Sequence, residues 1–106
     1  MPTISKIFGQ AKPAAATPTQ LYQVPAATEA QGTLTCCNQS TSDDKVRVAL
    51  VKSGEALAAK HYICYDTTVP ANGLLDKTFD LGAGDSVSVY STGGNVSFTA
   101  TGLEVS

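Results

Sequence analysis

The stretch LLDKTFDLGAGDSVSVYSTGGNVSFTATGLEV, residues 74–105, decides the fold. In its first run Leu75, Lys77, Phe79 and Leu81 alternate with Asp76, Thr78 and Asp80. In the second, Val87 and Val89 take every other position, and in the third Val96, Phe98 and Ala100 do. A period of two places those residues on one face of a strand, because successive side chains point to opposite sides. The connectors carry turn chemistry. LGAGD offers Gly82 and Gly84, and STGGN joins the last two runs through Gly93–Gly94, a hairpin signal.

Working outward, the same reading extends towards the N-terminus. QLYQVP (20–25), GTLTCCNQ (32–39), KVRVALVK (45–52) and KHYICYDT (60–67) read as four more strands, with PANG (70–73) as a turn. In KVRVALVK, Val46, Val48 and Leu50 share one face, and Arg47, Ala49 and Val51 the other. SGEALAAK (53–60) is the one helical candidate, two turns at most, and reads equally as a loop. Seven short strands at near-regular spacing predict an all-β chain, an antiparallel β-sandwich of immunoglobulin-like or jelly-roll type. A small closed barrel is the second choice. A parallel αβ sheet would need crossover helices that this pattern lacks.

Residues 1–19 differ from the rest. AKPAAATPTQ carries Pro13 and Pro18, each of which removes a backbone donor. The segment reads as an extended N-terminal arm, with Ile4, Ile7 and Phe8 as apolar anchors that dock on a neighbouring chain; a disordered terminus is the alternative. The domain division is thus 1–19 for the arm and 20–106 for the sandwich.

The chain has 106 residues, a formal net charge of −2 and 15% charged residues. One domain of that size buries roughly two-thirds of its unfolded surface, so it folds without needing a metal or a disulfide. No basic stripe suits nucleic acid or anionic lipid, and no apolar run is long enough to span a bilayer. MPTISKIFGQ lacks the apolar core of a secretory signal, so synthesis in the cytoplasm is expected.

The chemistry-bearing residues are few. Cys36, Cys37, Cys64 and His61 are the only soft metal ligands. Their spacing lacks the paired pattern of a zinc site, and strand neighbours face opposite ways, so no metal or other cofactor is expected. His61 is the only histidine to serve a thiol nucleophile, and no local signature joins it to one, so no catalytic residues and no enzyme are expected. The aspartates 43, 44, 76, 80 and 85 read as solvated turn and edge residues that discourage aggregation. Adjacent cysteines in TLTCCNQS place one sulfur inward and one outward. Leu34 favours Cys36 inward, although a bulge would invert this.

The succession KPAAATPTQLYQVPA, LTCCNQS, VRVALVKSG, KHYICYDTTVPANG and LGAGDSVSVYSTGGNVSFTATGLE resembles a family of small virion proteins of tailed bacteriophages. The resemblance covers residues 12–104, and the order of its short motifs carries it. Cys37–Asn38 matches the family's CN, whereas Cys36 and Cys64 depart from the pattern. The resemblance implies a β-sandwich structural protein of the particle, made in the bacterial cytoplasm, at the neck or collar, on the tail, or as capsid decoration. Its partners would be other copies of itself and other virion proteins, neither nucleic acid nor membrane. On that reading Cys36, Cys37 and Cys64 are candidates for bonds between subunits. The alternative is a carbohydrate-binding module displayed on the virion for host attachment.

Overall fold

The computed structural model describes residues 3–106 and shows two four-stranded antiparallel sheets packed as a β-sandwich. The strands are β1 (Thr3–Ala11), β2 (Thr19–Gln23), β3 (Glu29–Asn38), β4 (Asp44–Val51), β5 (Tyr62–Val69), β6 (Leu74–Leu81), β7 (Ser86–Ser91) and β8 (Val96–Val105). The first sheet runs β1-β8-β3-β6 and the second β2-β7-β4-β5. The seven expected strands are β2 to β8, and the LLDKTFDL run coincides with β6. The helical candidate 53–60 is a loop that ends in a single 3-10 turn, Ala59–His61.

The period of two holds where it was clearest. Leu34 and Cys36 on β3, Val46 and Val48 on β4, Val87 and Val89 on β7, and Val96, Phe98 and Ala100 on β8 meet in one core. Thr33, Thr35, Thr99 and Thr101 lie between them on the outer side. At one point the strands of the first sheet come unusually close. Gly32 faces Gly102 across β3 and β8. A Cβ on Gly102 would collide with the backbone of Gln31 and Gly32, and one on Gly32 would press on the rings of Phe8 and Phe79.

The expected arm is an eighth strand. Residues 3–11 pair antiparallel with β8, from Thr3 opposite Val105 to Ala11 opposite Phe98. This corrects the division at residue 19: the sandwich begins with β1, and residues 12–18 link it to β2. That linker is itself docked, with Pro13 buried and the Ala16 amide donating to the Ser91 carbonyl at 2.9 Å. Residues 1 and 2 of the expected arm lie outside the described residues.

Candidate functional site

Three groups of residues carry the chemistry that the fold leaves over from packing. The first is the β1 edge. The Phe8 ring stacks on Tyr22 at 4.6 Å between centroids and meets Phe79 at 6.0 Å. The Tyr22 hydroxyl donates to Glu104, and Lys6 bonds the other oxygen of that carboxylate at 3.0 Å. Tyr22 belongs to the second sheet and Glu104 to the first, so this trio ties the two layers at the open end of the core. Burial, then the Glu104 hydrogen bond, push the Tyr22 phenol well above its usual range. The Tyr22 and Lys6 bonds hold the Glu104 carboxyl below its own. Phe8 therefore docks on its own chain, which corrects its expected role as an anchor on a neighbour. Ile4 and Ile7 remain 52% and 58% exposed.

The second group is the cysteines, all three of them free thiols. Cys36 is fully buried, opposite Phe98 and Leu75. Burial, together with the nearby Cys64, pushes its thiol up to about 12, so it stays protonated and unreactive at neutral pH. Cys64 is 5% exposed and faces the same core. Both sulfurs are buried within their own core and not presented at its surface, against the expectation that Cys36 and Cys64 bridge subunits. Cys37 is exposed on the outer face, opposite Leu74 on β6 and Ser97 on β8.

The third group lies on the outer face of the second sheet. Arg47 sits opposite Tyr90, and its guanidinium lies 4.1 Å from the Tyr65 ring centre and 4.4 Å from that of Tyr90. Asp66 accepts from Arg47 Nε at 2.8 Å and lowers its own titration range in doing so. Asp66 stands in the left-handed region (φ 52°), where β5 slips register against β4. Tyr62 meets Tyr65 edge to face at 5.1 Å. The result is a rigid plate of cation–π and aromatic contacts.

Asp44, read as a solvated turn residue, proves to be structural, and so do Asn38 and His61. Asp44 is buried, and its carboxylate accepts from the amides of Lys45, Gly93 and Asn95 and from the Ser91 hydroxyl. Burial alone would raise its titration range; the four hydrogen bonds outweigh it and the net shift is downward. Asn38, also buried, donates to the Ser42 and Val69 carbonyls and accepts from the Ser40 amide. His61 is buried against the loop. Its Nδ1 accepts from the Ala58 amide at 2.9 Å, so its proton sits on Nε2 and is donated to Glu55. Lys60 and then His61 draw the Glu55 carboxyl down to about 2. His61 thus serves its own loop and is not beside any cysteine thiol in these contacts.

Among the described residues no group of three or more His, Cys, Asp or Glu side chains converges as a metal site requires. A cleft of about 500 Å³ is lined by Gln23, Val24, Pro25, Ala26, Ala27, Ser53, Ala83 and Gly84, with no ionisable side chain. The tyrosines line no part of it. No protein-family model, curated protein or solved structure matches the chain.

Proposed function

We propose that this chain is a non-enzymatic structural protein of a tailed bacteriophage particle, incorporated in many copies. The observation that carries the reading is the outer face of the first sheet. Opposed residues there form rows such as Ile7–Thr101–Thr33–Thr78 and Gln10–Thr99–Thr35–Asp76. Ile7, Leu103 and Leu74 stand exposed among them. A broad face of hydroxyls and apolar side chains, with acids only along its β3 and β6 side, suits burial against another protein. The motif order that resembles phage virion proteins falls on this same frame. Collar, tail and capsid decoration are equally compatible with it. Mass spectrometry of gradient-purified particles from the lysate that expresses the chain should find it at a copy number comparable to other particle proteins. Its absence from purified particles would reject the reading.

Cys37 is the sulfur this face offers to a neighbour. Once the particle meets an oxidising medium, two such thiols can lose their hydrogens to dissolved oxygen and join. Non-reducing gels should then show a dimer that dithiothreitol and Cys37→Ser both remove.

The saccharide-binding alternative has one observation in its favour, the plate of half-buried Tyr62 and Tyr90 around the exposed Tyr65. Sugar rings stack on free aromatic faces, yet Arg47 already covers one face of both Tyr65 and Tyr90. Binding on a glycan array that Tyr65→Ala abolishes would establish this reading.

A further inference from the structure

A sandwich of this topology has four edge strands, β1, β6, β2 and β5. An edge presents unbonded amides and carbonyls to any passing strand, and proteins normally blunt it with prolines, bulges, shortness or charge. Three of the four are blunted here. β2 is five residues long, has a register shift between Gln20 and Tyr22, and is bracketed by Pro18 and Pro25. β5 slips register twice against β4 and is followed by Pro70. β6 carries Asp76 and Asp80 on its outer side and Lys77 between them.

β1 is different. It is nine residues long and contains no proline. Its single charge, Lys6, is drawn onto Glu104 at 3.0 Å. One bulge between Ile7 and Gly9 is its only irregularity, and the Phe8 it accommodates turns onto Tyr22 and Phe79. Beside this open edge stand Ile7 and, on β8, Leu103 on the outer face, and Ile4 on the inner face opposite Glu104, three of the seven large apolar side chains exposed on the described residues. Ser5 is directly opposite Leu103, so Ile7 and Leu103 are diagonal neighbours on one outer strip.

We propose that β1 pairs with β1 of a second copy, antiparallel about a two-fold axis, so that two four-stranded sheets join into one of eight. The occupant follows from complementarity. Pairing β1 with itself, with the outer faces kept on one side, gathers the two exposed Ile7 side chains on the outer face and the two Ile4 on the inner, and brings no free strand charge opposite another, because Lys6, the one charge on β1, is paired within each copy. The other three edges resist a strand for the reasons given, so among the described strand edges β1 is the one open to a second β1. A two-fold contact closes on itself at the dimer. Larger assemblies then need another surface, such as the outer face. The choice of a second copy rests on the reading of the chain as a protein built in many copies, but the contact is tested on the isolated protein, without the particle.

Sedimentation velocity over a concentration series, combined with amide hydrogen exchange, tests it. The full chain should pass from monomer to dimer within the micromolar range typical of modest interfaces, about 1–100 μM. Amides on the outer edge of β1 should exchange at least about tenfold more slowly in the dimer than in the monomer. Ile7→Lys and Ile4→Lys, at exposed positions, should leave the melting temperature nearly unchanged and hold the protein monomeric. A protein that stays monomeric throughout, or a dimer whose β1 amides exchange as in the monomer, would overturn the proposal. So would a dimer that both charge variants leave intact. A chain absent from phage particles but dimeric through β1 would reject the virion reading alone.

Discussion

Asp44 shows how one side chain can organise a whole end of the sandwich. Its two oxygens take four hydrogen bonds, three of them from residues 91, 93 and 95, so the start of β4 anchors the β7–β8 hairpin. Substitution Asp44→Asn keeps the shape but turns one acceptor into a donor that faces donors. Losing two buried bonds and leaving their partners unsatisfied should cost about 2–4 kcal/mol, read from urea melts. The acid limb should change as well. The folded carboxyl titrates below its unfolded value of 3.8. Its stabilising contribution is therefore complete above the unfolded value and is lost as pH falls through the folded one. Wild type should lose stability as pH drops below about 4, and Asp44→Asn should show a shallower fall over the same interval. Equal slopes would mean that other carboxylates govern acid unfolding.

At the scale of elements, the pair Gly32–Gly102 decides how β1 is received. The missing side chains leave room for Phe8 and Phe79 between the sheets, and for β3 and β8 to approach closely. Substitution Gly102→Ala should cost about 2–4 kcal/mol, because the new methyl meets backbone that cannot move aside. Thr101→Ala, one residue away on the outer face, should change stability by less than about 0.5 kcal/mol. Most elements were legible in the sequence for a simple reason. β6, β7 and β8 alternate cleanly, and their turns hold glycines such as Gly84 and Gly94 at positive φ. β1 was not legible because the bulge between Ile7 and Gly9 breaks its alternation: Phe8 turns in to Tyr22 and Phe79, and the next residue, Gly9, opposite the buried Ala100, falls on the same inner side. The inward Cys36 followed from Leu34 two residues earlier. The roles of Asp44 and Glu104 did not follow, since Asp44's partners in the β7–β8 hairpin lie 47 to 51 residues away and Glu104's partner Tyr22 lies 82 away in the chain. No local period encodes such distances.

At the scale of the whole molecule, the first strand and the last are neighbours, and β1 covers what β8 would otherwise expose. An arm that docks on another chain and a strand that completes its own sheet make opposite demands on the isolated protein. Removing an arm leaves a finished sandwich. Removing β1 strips Phe8 from Tyr22 and Phe79, frees Glu104 from Lys6, and bares the long edge of β8. That new edge has Thr99, Thr101 and Leu103 on its outer side, and its one charge, Glu104, points inward onto Tyr22. A chain lacking residues 1–11 should therefore lose at least about 3 kcal/mol, the scale of deleting one buried phenylalanine. It should also aggregate on mild heating, because an unguarded strand edge templates further pairing. Urea melts give the first quantity and light scattering during a thermal ramp the second. A truncated chain that melts as the full one does and stays clear would show that residues 3–11 contribute nothing to the fold on their own chain.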